Sequence, residues 1–204
     1  SWYKLYNITI PAATNIDEWA FYNCSNLTSI SLPAATTIGD WAFASCSKLT
    51  SVSLPVAEKL GRYVFHQCFA LTTVSLPKVT TTDIFVFNCC SKLTSVNLPL
   101  LTTVSSSSFT SCVGLKTIYL PAATTIGWNC FYECNSLTSV SLPSATTLGY
   151  YVFSGCTALT SLSLRAAGTI SMPVSYIPST ENCELTLNVD KNTGGSGNPI
   201  ASGT

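Results

Sequence analysis

One 22-residue unit, read from Leu27 to Lys48, is copied along most of the chain without an inserted or lost residue. Its copies begin at Leu49, Leu71, Leu93, Leu115, Leu137 and Leu159, with a partial copy ahead of them at Leu5. Units repeated at a fixed period must each do the same structural job, so the period constrains the fold more than any local propensity.

The aligned columns separate buried positions from free ones. Ile30, Val52, Val74, Val96, Ile118, Val140 and Leu162 form one apolar column, and Leu32, Leu54, Leu76, Leu98, Leu120, Leu142 and Leu164 another. A proline follows at Pro11, Pro33, Pro55, Pro77, Pro99, Pro121 and Pro143. Further on stand Ile16, Ile38, Leu60, Thr82, Val104, Ile126 and Leu148, then a phenylalanine column from Phe21 to Phe153 and a cysteine column from Cys24 to Cys156. The segment Leu27 to Leu32 alternates and is rich in β-branched residues, so it predicts a short half-buried strand. Pro33 ends it by removing a backbone donor. Gly39, Gly61, Gly127 and Gly149 are read as turn positions that a Cβ would hinder.

The pattern L-x-x-L-x-L-P followed by A-F-x-x-C resembles the BspA-like type of leucine-rich repeat surface protein over residues 5 to 165, in a form one residue shorter than that family's usual repeat. The resemblance implies an α/β repeat fold: a right-handed solenoid with a parallel β-sheet on its concave face, short turns or 3₁₀ segments on its convex face, and little regular helix. It also implies a non-catalytic, bacterial cell-surface or secreted module that mediates protein–protein interaction or adhesion. The physics of the unit agrees. One unit cannot cover its own apolar face, so neighbouring coils must do so, with strands stacked about 4.8 Å apart.

The array is expected over residues 1–165, as a partial first repeat plus seven full ones. It contains two irregular coils: one places Thr82 in an apolar column, and the other carries Ser105 to Ser108 in place of the glycine and aromatic positions. Residues 166–190, ending in the alternating stretch Cys183 to Val189, read as a C-terminal cap that hides the last core and strand edge. Residues 191–204, with Gly194-Gly195-Ser196-Gly197, read as a flexible linker. Ser1 falls just ahead of a strand in mid-pattern, so the chain reads as a fragment without its leader, and Trp2 and Tyr3 either shield the first coil or mark where earlier repeats were removed.

Charged residues make up only 9% of the chain and the formal net charge is zero, which gives nucleic acid and anionic membranes nothing to hold. No apolar run approaches a bilayer-spanning length. Of the ten cysteines, seven sit in the inward column, while Cys89, Cys130 and Cys183 lie off it; all are expected as thiols packed like small hydrophobes, with Cys130 and Cys134, or Cys89 and Cys112, as the pairs that could depart from this. His66 is the single histidine and paired C-x-x-C motifs are absent, so neither metal nor cofactor is expected. Cys68 beside His66 sits in the buried column with six equivalents and is not an activated nucleophile. The acidic residues are scattered over different coils and no catalytic residue is assigned.

What remains for function is surface. The exposed positions of the strand face carry Thr and Ser, broken by Asn97, Lys116 and Tyr119 on adjacent strands, and this trio is the first-choice binding patch because tyrosine anchors interfaces. A second candidate is an aromatic stripe of Trp19, Trp41, Tyr63, Phe85 and Tyr151, with Trp128 and Tyr150 one residue earlier in the repeat; it reads either as packing between coils or as a platform for sugar rings. The expected partner is an extracellular protein or glycan bound by a monomer. The alternatives to an adhesion module are a carbohydrate-contacting module using the stripe and a structural spacer presenting other domains.

Overall fold

The computed structural model describes residues 4–166 and 184–189, and contains no helix among them. Its strands are β1 (Asn7–Thr9), β2 (Asn15–Ile16), β3 (Ser29–Ser31), β4 (Thr37–Ile38), β5 (Ser51–Ser53), β6 (Lys59–Leu60) and β7 (Thr73–Ser75). They continue as β8 (Ser95–Asn97), β9 (Thr103–Val104), β10 (Thr117–Tyr119), β11 (Thr125–Ile126), β12 (Ser139–Leu142), β13 (Thr147–Leu148), β14 (Ser161–Ala166) and β15 (Glu184–Val189). All pairings are parallel, and those from β1 to β14 join residues one repeat apart, as in Ile8 with Ile30 and Val140 with Leu162. The chain is therefore a solenoid of stacked coils, as the period requires.

Each coil has three hydrogen-bonded sides. The first is the three-residue strand, whose middle residue points inward while its neighbours face out. Pro33 then occupies the second position of a turn closed by Ala35 N–H to the Leu32 carbonyl at 3.3 Å, where its fixed φ suits the turn. The second side is the short strand around Ile38. The third is a run of turns in which alternate amides go different ways. Trp41, Phe43 and Ser45 donate to Arg62, Val64 and His66 of the next coil, while Ala42, Ala44 and Cys46 donate three residues back within their own. The 3₁₀ alternative is thus not taken, because every second amide is committed to the neighbouring coil.

The core is the set of columns read from the period. Leu27, Leu32, Ile38, Phe43 and their equivalents in later coils are buried, Leu5, Ile10 and Phe21 of the first coil are partly so, and the phenylalanines stack from Phe21 to Phe153 with centroids 5.2 to 5.8 Å apart. The glycines act by close approach, not by turn geometry as read from sequence: a Cβ on Gly127 would stand 2.4 Å from the Ser106 amide nitrogen of the preceding coil. The two irregular coils are neighbours, and their hydroxyls answer each other. Thr82, buried in an apolar column, lies 3.2 Å from the Ser108 hydroxyl and accepts from Ser105 N–H at 3.0 Å. Around Thr82 the second sheet is reduced to single bridges at Thr81, which separate β2-β4-β6 from β9-β11-β13.

Strand β15 extends the sheet beyond β14, pairing Leu162 with Leu185 and Ala166 with Val189, where the alternating stretch Cys183 to Val189 had indicated a last strand. The rest of the 166–190 cap assignment, the 191–204 linker, and Trp2 and Tyr3 lie outside the described residues, as does Cys183.

Candidate functional site

The strand face is less a carpet of free hydroxyls than a set of rungs. Thr28, Thr50, Thr72 and Thr94 each donate a side-chain hydrogen bond to the backbone carbonyl one coil back, at 3.0, 3.3, 2.9 and 3.1 Å, and the backbone amide of each donates to the same carbonyl. Thr138 and Thr160 continue the series at 3.0 and 3.2 Å. Lys116 stands in this column without a hydroxyl, and neither its side chain nor its amide bonds the Thr94 carbonyl. There the sheet opens, as it also does between β3 and β5: β8 ends a three-stranded sheet and β10 begins a four-stranded one, and Val96 is only partly buried where its equivalents are buried.

The trio flanks this gap. Asn97 and Lys116 are exposed, and Tyr119, at 62% exposure, is the most exposed of the large apolar and aromatic side chains described. Asn97 Nδ2 donates to Ser75 Oγ at 3.4 Å, which holds its amide along β7. The result is one phenol ring, one ammonium and one amide on adjacent strands beside a discontinuity in the sheet.

The aromatic stripe divides into two arrangements. Trp19, Trp41, Tyr63 and Phe85 stack face to face, with centroids 5.0, 4.0 and 4.8 Å apart and planes within 11° of parallel. The His66 ring lies perpendicular to Trp41 and Tyr63, at 85° to each. These rings cover one another's faces, so this part of the stripe is packing between coils. Its column is also one of two left-handed ones: Trp19, Trp41, Tyr63 and Phe85 have φ of 57 to 60°, where a bulky side chain is rarely found. Stacking offsets that strain. Ser107 and Asn129 interrupt the column, and Tyr151 beyond them is 45% exposed. The second arrangement is Trp128 with Tyr150, 59% and 50% exposed, which meet edge to face at 5.4 Å and 78°.

The interior holds thiols in a regular order. Cys46, Cys68, Cys90, Cys112, Cys134 and Cys156 each donate to the carbonyl of the phenylalanine 25 residues earlier, at 3.1 to 3.3 Å. The nine cysteines described are all free, so neither pair singled out from sequence is bridged. Loss of water around them raises their pKa, to about 12 for Cys46 and well above the ordinary thiol value for Cys68. Cys68 beside His66 is therefore a deactivated thiol, and burial lowers the His66 pKa as well. No group of three or more His, Cys, Asp or Glu side chains able to hold a metal occurs among the described residues, and no helix there is long and apolar enough to cross a membrane.

A model of the BspA-type leucine-rich repeat region, in six copies, matches residues 1–113 and 83–180. The chain belongs to the BspA-type leucine-rich repeat family. No curated protein matches it significantly. Among solved structures, a leucine-rich repeat protein from Bacteroides ovatus superposes with a TM-score of 0.63 at 22% identity, over 90% of this chain and 54% of that one. A leucine-rich cell surface protein from Faecalibacterium prausnitzii gives 0.51 at 23% identity over 78% of this chain and 63% of that one. The T. pallidum leucine-rich repeat protein gives 0.58 at 24% identity over 76% and 78%. These likenesses show the fold. The BspA-type chain here spans about half the length of the B. ovatus protein. Its period and phenylalanine and cysteine columns are the part sequence reasoning captured. It missed the threonine rungs, the thiol donors and the two left-handed columns, for which only Asn129 in the aromatic column, and Asn23 and Gly155 in a column otherwise of Ser, Gln, Cys and Glu, gave any signal.

Proposed function

We propose that this BspA-type array is a non-catalytic bacterial module, displayed at the cell surface or secreted, that holds an extracellular protein against its strand face at Asn97, Lys116 and Tyr119. The observation that carries the reading is Tyr119: a ring 62% exposed on a face that, apart from Tyr6 in the first coil, carries mostly Thr and Ser, next to the one cation in the threonine column. A ring that nothing in the fold requires is the type of residue that anchors a partner. The F. prausnitzii neighbour is a leucine-rich cell surface protein, which supports the location.

The test is biolayer interferometry of the purified domain against extracellular-matrix proteins and mucins, alongside a Tyr119→Ala/Lys116→Ser variant. Saturable binding that the variant loses is the expected result, and unchanged affinity in the variant removes the patch. A second reading, a spacer that presents other domains, is favoured by the threonine rungs, which commit one of the face's three exposed columns to structure. Silence across the panel transfers the assignment to it.

A further inference from the structure

Trp128 and Tyr150 occupy the repeat position held in earlier coils by Glu18, Asp40, Arg62, Ile84 and Ser106. That position does not call for an aromatic ring; at Asp40 and Arg62 it carries an ion pair of 2.7 Å. The two rings stand at 78° and border a shallow open cleft of about 340 Å³. Gly127 and Gly149 line it beside the rings, as do Ser106 and the threonines Thr125 and Thr147 of paired strands β11 and β13. No charged residue lines it. Trp128 is held in place: its Cδ1 lies 2.4 Å from where a Cβ on residue 149 would stand, so the ring rests on the space Gly149 leaves open.

We propose that this corner is a binding site for a neutral pyranose unit of a glycan. A pyranose has an apolar face of C–H groups and a rim of hydroxyls, and carries no charge. An exposed indole accepts such a face, a second ring at a steep angle blocks lateral escape, and the hydroxyl-bearing residues that line the cleft meet the rim; this is the usual division of a small-ligand site into apolar contact and a few orienting polar groups. A peptide partner would find no charged side chain to pair with here. A cation would find no carboxylate. The site differs from the stacked stripe, whose ring faces are covered, and is separate from the Tyr119 patch on the principal strand face.

The experiment is titration of the chain with cellohexaose, maltohexaose, mannohexaose and chitohexaose, followed by tryptophan fluorescence and saturation-transfer NMR. Expected is saturable binding to at least one oligosaccharide with Kd on the order of 1 mM, weakened at least about tenfold in Trp128→Ala and in Tyr150→Ala. Trp128→Phe retains it, Tyr119→Ala does not affect it, and high salt leaves it unchanged. Because both rings are exposed, the alanine variants are expected to melt with the parent chain, and unchanged circular dichroism verifies this. No saturable signal up to about 10 mM sugar, or binding that survives in both alanine variants, overturns the proposal. Protein binding lost only with Tyr119 bears on the strand-face reading and leaves this one standing or falling on the sugars.

Discussion

Ser45, Gln67, Cys89, Ser111 and Glu133 share a left-handed φ of 55 to 61° with no ring to compensate it, and the same column ends in Gly155 at 80°. An L side chain there costs about 1–2 kcal/mol, against roughly 0.5–1 kcal/mol of extra chain entropy that glycine loses on folding. Ser111→Gly is therefore expected to stabilise the array by about 0.5–1 kcal/mol, read as a raised urea midpoint, while the reverse change Gly155→Ser lowers it. The thiols give a prediction in pH. Their folded pKa lies above the 9.0 of an unperturbed cysteine, so below pH 9 both folded and unfolded chains keep the proton and stability is complete. Above it the unfolded chain releases protons that the folded one retains, and each such thiol lowers stability by about 1.4 kcal/mol per pH unit until its own folded pKa, about 12 for Cys46 and Cys156, is reached. Denaturant midpoints measured from pH 8 to 11 should fall steeply above 9, and Cys46→Ala should shallow the slope. The inward direction of the cysteines was legible from their column. Their acceptors were not, since each lies 25 residues back and is a main-chain atom that no side-chain pattern marks.

The strand rungs set what can be changed within an element. At the β8–β10 gap, Lys116→Thr supplies the missing hydroxyl toward the Thr94 carbonyl and is expected to add about 0.5–1.5 kcal/mol, the net worth of one hydrogen bond. Hydrogen exchange at Ser95–Asn97 and Thr117–Tyr119 should slow in the variant; unchanged exchange would show that the gap has another cause. Gly127→Ala acts in the opposite direction, because its Cβ would stand 2.4 Å from a backbone nitrogen and not from a side chain that could swing away. It is expected to destabilise by about 1–3 kcal/mol in thermal melts. In the sequence Lys116 stood out as a departure and was read as a ligand contact. Its second meaning, a lost rung, depended on knowing that the threonine hydroxyls reach back one coil, which composition alone does not reveal. Thr82 and Ser108 were visible as two separate irregularities, and only the stacking of the coils shows them as one compensated pair.

For the molecule as a whole, every described contact between coils joins neighbours, so stability is a sum of coil and interface terms. Each phenylalanine serves two interfaces: Phe87 stacks on Phe65 at 5.7 Å and on Phe109 at 5.2 Å. Phe87→Ala is expected to cost about 3–5 kcal/mol and to split the unfolding transition, with Trp19 and Trp41 reporting one half and Trp128 the other. The fold at this scale was the most legible part, because one fixed period states which residues stack. Asn97, Lys116 and Tyr119 could be placed on adjacent strands for the same reason, whereas the angle between Trp128 and Tyr150 needed the rings themselves. The strict period also makes length an adjustable quantity. Excising residues 27–48 would join Asn26 to Leu49, a junction chemically equal to the one removed, and would shorten the stack by a single step of about 4.8 Å. Such a chain can be lengthened or trimmed in whole steps by recombination between its own repeats, so its length, like that of a ruler, is written in the number of copies.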